Sequence, residues 1–228
     1  MNELPIIFGI SNLIALGIPA EVVFSWVATA IILAVAVIVR ASMKIVPTGT
    51  QNVVEVICEF LLNLAETSIG HLGRYFFPLI ATLFLYILVC NLIGIIPGFE
   101  APTGKLNTTA ALAIPVFLAT HFYGIKIHKF GYLKHFLGPI RSIVALPLMI
   151  LMFCIEIIGH IARPLTLSVR LFGNMMAKHM LIAILASLAP LFVPIPILAL
   201  GTLVSVVQAL VFTLLTSLYL AGAVEEAH

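Results

Sequence analysis

The chain has 228 residues, 62% of them hydrophobic and only 9% charged, with a formal net charge of +2. Soluble domains carry roughly a quarter charged residues, so a mean hydropathy of +1.24 leaves too few polar side chains to cover a water-facing surface. Glutamate is the only acid and the charge is nearly balanced, which excludes a nucleic-acid-binding surface and an acidic tail.

The chain reads as an all-α polytopic membrane protein, a single membrane domain over 1–228 without repeats or a soluble appendage. Met1 to Ala20 has no basic residue before its apolar stretch, which argues against a cleaved signal peptide. A bilayer core about 30 Å thick needs about 20 apolar residues per helix, so runs free of Glu, Lys and Arg measure the spans. The first is 22–39, closed by Arg40. Segment 50–69 differs: Glu55, Glu59 and Glu66 make an acidic stripe among Val54, Ile57, Leu61, Leu62 and Leu64. That pattern predicts an amphipathic helix along the membrane surface or against another protein, with a plain packing connector as the alternative. The second and third spans are 75–98 and 107–126. Two long helices follow, 140–187 and 191–221, separated where Pro190, Pro194 and Pro196 remove backbone donors. The expected architecture is five membrane-crossing helices plus one surface helix.

Basic residues orient these spans. Arg40, Lys44, Arg74, Lys126, Lys129, Lys134 and Arg141 share one side, and Lys105 alone lies in the loop between the second and third spans. The positive-inside rule makes the crowded side cytoplasmic, with the N-terminus outside and the C-terminus, Glu225, Glu226 and His228, inside.

The remaining cations, Arg163, Arg170 and Lys178, fall inside the long helix. A cation at membrane depth costs from about 3 to more than 10 kcal/mol and is retained because it faces a partner or a water-filled path. Snorkelling from a helix end suits Arg163 or Lys178 but not Arg170, which lies between them. At about 100° per residue, Glu156, Arg163 and Arg170 share one face, Asn174 lies one turn beyond Arg170, and His179 points about 180° away. On the last helix Gly201, Ser205, Gln208 and Tyr219 fall within roughly 60° of one another. A lone Gln in a membrane helix is more often an interhelical hydrogen bond than a site. Cys58, Cys90 and Cys154 have no metal-ligand or disulfide spacing. There is no Walker A loop, HExxH, GxSxG or paired Asp, so phosphate cradling, zinc proteolysis and serine hydrolysis lack support. Glu156, His160 and His179 flanking a fixed guanidinium suit proton or ion movement instead.

The run RPLTLSVRLFGN at Arg163 to Asn174 resembles the signature of the a subunit of F-type ATP synthases. The likeness extends to NLIGIIPGFEAPTGKLNTTAALA at Asn91 to Ala113 and to VQALVFTLLTSLYLAGAVEEAH at Val207 to His228. The resemblance implies a non-catalytic stator in a bacterial inner membrane. It would sit against a ring of c subunits and the b subunits of a peripheral stalk, and form two offset half-channels that couple ion flow, most simply of protons, to rotation and ATP synthesis. No cofactor or metal is implied. Arg170 matches the family's essential arginine, Asn174 the amide one turn later, Gln208 the glutamine near that arginine, Glu156 the acid of the cytoplasmic half-channel, and His179 the titratable residue of the outer half-channel. The family pairs the last position with a second titratable residue on the final helix. Here that position is Gly201, which leaves the outer pathway to His179 with water, to Lys178 or to Glu100. The resemblance further implies that the last two helices form a strongly tilted hairpin along the ring. A self-contained transporter should show inverted repeats, which the chain lacks, and a pure scaffold would leave Arg170 unexplained.

Overall fold

A computed structural model describes residues 17–47, 49–96, 99–129, 146–188 and 194–224. Among them there is no strand. Six α-helices follow in order: α1 (Ala20–Ala41), α2 (Thr50–Ile69), α3 (Gly73–Ile93), α4 (Leu106–His128), α5 (Leu146–Leu188) and α6 (Pro194–Val224). Short 3₁₀ turns, Gly70–Leu72 and Pro102–Gly104, precede α3 and α4. The expected basic residues Lys134 and Arg141, the first residues of the 140–187 segment, the turn at Pro190 and the terminal Glu225, Glu226 and His228 lie outside the described residues.

Five helical stretches are long and apolar enough to cross a membrane: α1, the α2–α3 stretch from Thr50 to Ile93, α4, α5 and α6. Within that second stretch the acidic stripe of α2 separates by face, because Glu55 and Glu59 are exposed while Leu61 and Ala65 are buried. Gly70, at φ +76°, ends α2 in a conformation that a side chain rarely adopts. The chain then reverses so tightly that Gly73 lies against the backbone of Ala65 and Glu66.

The centre of the molecule is α3, which buries Phe76, Ile80, Leu83, Phe84, Ile87, Cys90 and Asn91. Leu61 of α2, Leu83, Phe84 and Ile87 of α3, Ala113 and Val116 of α4, Leu167 and Leu171 of α5, and Ala209 and Phe212 of α6 form one apolar cluster. In lipid such a cluster gains little from leaving water, since the surroundings are equally apolar, so shape fit and interhelical hydrogen bonds carry it. Small polar residues help α6 approach its neighbours. Thr213, Thr216 and Ser217 are buried and donate to the carbonyls of Ala209, Phe212 and Thr213, satisfying their hydroxyls within the helix. By contrast α1 touches the rest through Val23, Phe24 and Ala28, with the Phe24 ring 5.3 Å from that of Phe99. Leu33, Val37 and Ile38 face outward, as suits a lipid-facing helix.

Helices α5 and α6 run antiparallel. Asn174 meets Gln208, Lys178 meets Ser205 and Arg163 meets Tyr219, so rising numbers on α5 pair with falling numbers on α6. Pro164 inside α5 has no N–H to give the carbonyl of His160, yet the helix continues through it.

Candidate functional site

The polar side chains of α5 fall into three levels along the helix. At the middle level Arg170 is exposed, and no ion pair or hydrogen bond joins it to another described residue. One turn on, Asn174 Nδ2 donates to Gln208 Oε1 at 2.7 Å, which fixes α5 against α6 beside the guanidinium. Gln208 is buried, and its own Nε2 has no partner among the described residues. A buried amide donor left unsatisfied costs about 1 to 3 kcal/mol, so the pair holds a hydrogen bond in reserve. The arrangement is a permanent cation exposed on an apolar face, beside an interhelical amide pair that is itself sheltered, and an anion arriving from outside the chain would find the cation.

About 12 Å further along α5 is a second, buried cluster. Lys178 does not snorkel. Its Nζ lies 3.3 Å from the Asn91 carbonyl and 3.4 Å from Ser205 Oγ. Asn91 in turn accepts from Thr103 Oγ1 at 2.7 Å and donates to the Ser205 carbonyl at 3.3 Å. One lysine thus links α3, α5, α6 and the Pro102–Gly104 turn through neutral acceptors, and no carboxylate lies within ion-pair reach of it among the described residues. His179, next in sequence and about 180° around α5 from Arg170, also meets that turn. Its ring lies 3.8 Å from where a Cβ on Gly104 would stand, hydrogen-bonds to the Gly94 backbone and feels the charge of Glu100. Its Nε2 is buried without a partner.

The position expected to hold a second titratable side chain, Gly201, is filled from across the interface. A Cβ there would stand 3.0 Å from Lys178 Cδ and 3.5 Å from its Cγ. The stem of Lys178 therefore occupies the room a side chain on α6 would take. Gly201→Leu is expected to overpack this contact and destabilise the detergent-solubilised protein by about 1 to 3 kcal/mol, read as a lower thermal midpoint. Adding Lys178→Ala should restore most of the loss. Additive effects of the two changes would show that they do not share this space.

The third level lies on the opposite side of Arg170. Arg163 stacks over the Tyr219 ring at 5.4 Å, a cation–π contact that holds it to α6. His160 Nδ1 is 3.4 Å from Glu156 Oε1 and 3.0 Å from the Glu156 carbonyl. The His160 ring meets His121 of α4 edge to face, with centroids 5.2 Å apart. Sequence reasoning missed His121, Asn91 and Thr103, because a neutral side chain inside a charge-free run gives no signal without interhelical register. Among the described residues no group of three His, Cys or Glu could hold a metal ion.

Comparison with known proteins shows the family. The family model described as ATP synthase A chain matches residues 22–221. A protein of Trichlorobacter lovleyi named ATP synthase subunit a is 49% identical over 207 residues, 91% of this chain and 88% of that one. Its namesake in Geobacter sulfurreducens is 50% identical over the same shares. ATP synthase subunit a 1 of Syntrophotalea carbinolica is 46% identical over 219 residues, 96% of this chain and 92% of that one.

Proposed function

The chain belongs to the ATP synthase A chain family and is a multi-pass membrane subunit, and from that membership we propose that it is the ion-translocating stator of a rotary ATP synthase. The carrying observation is Arg170, a guanidinium exposed on an apolar helix with no partner among the described residues. A rotor carboxylate in lipid stays neutral because desolvation disfavours its charge, and beside a guanidinium it ionises. Arg170 makes that exchange wherever a ring of such carboxylates passes. Since guanidinium keeps its charge at physiological pH, it blocks a direct path and relays nothing. Asn174 and Gln208 hold α5 and α6 in register beside it.

The two ends of α5 then belong to separate half-channels. His179, near Glu100 and the Lys178 cluster, lines the outer one, and Glu156 the cytoplasmic one, with Arg163 anchored on Tyr219 between Glu156 and Arg170. An ion loads the ring on one side of Arg170, travels through lipid, and leaves on the other. Each elementary charge crossing 100 mV supplies about 2.3 kcal/mol, so several ions are needed per ATP. The subunit catalyses no bond chemistry and needs no cofactor. Its partners are the c-ring, for which α5 and α6 form a tilted hairpin, and the b subunits, for which Glu55, Glu59 and Glu66 on a surface-lying α2 offer a docking stripe. By family resemblance it belongs in a bacterial inner membrane, and the basic-residue asymmetry supports an orientation with the N-terminus outside and the C-terminus cytoplasmic.

A cross-linking experiment tests the docking face. With Cys58, Cys90 and Cys154 replaced, Thr166→Cys, exposed one turn before Arg170, should form an oxidative cross-link with a cysteine placed beside the ring carboxylate. Leu33→Cys, on the outward face of α1, should not. Efficient capture by α1 and none by α5 would put the ring on the wrong side of the molecule.

A further inference from the structure

Along α5, Glu156 lies about 21 Å from Arg170, too far for a single proton transfer. The side chains between them decide how the gap is crossed. Arg163 is permanently charged and stacked on Tyr219. A recess on this path is lined by Phe117, Thr120, Arg163, Pro164, Leu167 and Tyr219. Next to it are the two histidines. His121 Nδ1 lies 2.9 Å from the Phe117 carbonyl and 3.4 Å from Thr120 Oγ1, and His160 Nδ1 lies 3.0 Å from the Glu156 carbonyl. A carbonyl cannot donate, so each Nδ1 carries the hydrogen and each neutral ring keeps its lone pair on Nε2.

We propose that His160, with His121 packed against it, is the last proton relay of the cytoplasmic half-channel, handing to Glu156 a proton that has travelled the first roughly 15 Å from Arg170 along the Arg163 recess. This rests on the stator reading above, and deepens it by naming the transported ion. A proton binds Nε2 of His160 and forms an N–H bond there. The Nδ1–H bond then breaks toward Glu156 Oε1, 3.4 Å away, and the carboxylate becomes a carboxyl that releases the proton to cytoplasmic water. Before the next cycle the hydrogen left on Nε2 passes to water and the same water returns one to Nδ1, which restores the starting tautomer with no net proton consumed.

The surroundings fit transfer and not storage. Glu156 and Arg163 act on His160 from its own helix and His121 from α4, while Tyr219 of α6 holds Arg163 in place. A second cation beside Arg163 is disfavoured, so the imidazole pair holds one proton at most, and Glu156 draws it onward. His121 is a positioning residue that keeps the His160 proton mobile. An imidazole relay of this kind passes protons and not Na⁺.

Passive proton uptake driven by a potassium diffusion potential, in inverted vesicles holding the complete complex with its catalytic head removed, tests the relay. His160→Gln is expected to lower the rate by about tenfold or more and to remove the rise or fall between about pH 6 and about pH 8 that a titrating imidazole imposes. Added imidazole should partly restore His160→Ala, a rescue that a packing role would not give. His121→Gln should shift that pH limb with a smaller change in rate. Immunoblots of the subunit and the ring confirm assembly. If His160→Gln is not assembled, a wild-type rate flat across the same pH range overturns the proposal. So does a His160→Gln rate within about twofold of wild type with an unchanged profile. Arg170→Ala in the same vesicles separates the two readings, since normal coupled transport there would overturn the stator role itself, whatever the histidines do.

Discussion

Arg170→Ala is expected to abolish ATP-driven proton pumping in inverted membrane vesicles while the subunit remains in the assembled complex. The guanidinium makes no hydrogen bond or ion pair with another described residue, so its removal breaks no contact within the fold. Exposed substitutions of that kind change stability by about 0.5 kcal/mol or less. What disappears is the charge that makes a passing carboxylate ionise, and with it the barrier between the two half-channels. Arg170→Lys keeps a charge but loses the planar fork of donors, and its more strongly hydrated ammonium is a poorer partner for a carboxylate in a dry interface. It should fail as well. The measurement is the quench of a pH-sensitive dye on adding ATP, alongside quantification of the subunit in the purified complex. Undiminished quench in Arg170→Ala would end the assignment.

The second large effect is structural. Gly73→Val should sharply reduce the amount of subunit in the membrane, because there is no room for a Cβ where α3 begins. An ideal Cβ would stand 2.5 Å from the Ala65 carbonyl oxygen, 2.6 Å from its carbon and 2.7 Å from Glu66 Cα. All three are backbone atoms, so no rotamer change relieves the overlap and α2 must move away from α3. Forced insertion into packed structure costs about 1 to 3 kcal/mol, occasionally more, and a β-branched side chain cannot turn aside. The backbone of Gly73 is ordinary helix, φ −55° and ψ −41°, so the requirement for glycine is steric. Gly70 offers the contrast. At φ +76° and ψ −142° a Cβ would face open space, so Gly70→Ala should cost only the strain of a backbone conformation that glycine alone adopts readily, about 1 to 3 kcal/mol. Wild-type abundance and thermal midpoint in Gly73→Val would show that the α2–α3 junction is more pliant than these distances allow.

Much of the fold was legible because lipid imposes simple rules. Charge-free runs became helices, since an unpaired backbone amide has no solvent in the bilayer to satisfy it. The cluster of three cations did not break α5, and the same-side relation of Arg170 and Asn174 and the opposite aim of His179 follow from a rotation of about 100° per residue. Relations between helices were another matter. Nothing in the periodicity of α6 says that Gln208 stands opposite Asn174, and the family resemblance put it only near Arg170. Gly201 read as a missing partner because the resemblance expects a titratable side chain there, and no single-helix pattern could show that the space beside it is taken by Lys178 from α5. His121 was overlooked for a related reason. Uncharged by the ruler used to find spans, it lies in a segment that reads as plain membrane helix, and its meaning depends on His160, which is distant in sequence and near in space.

The bareness of Arg170 also has a bearing on biogenesis. A subunit inserted alone must hold that guanidinium against acyl chains, at a penalty of about 3 to more than 10 kcal/mol unless water or lipid headgroups are drawn in. On the stator reading, docking onto an acidic partner removes the penalty, so the charge proposed to serve turnover would also distinguish an orphan copy from an assembled one. An unassembled chain is thus marked by its own unpaired charge, a handle for membrane quality control that vanishes on assembly.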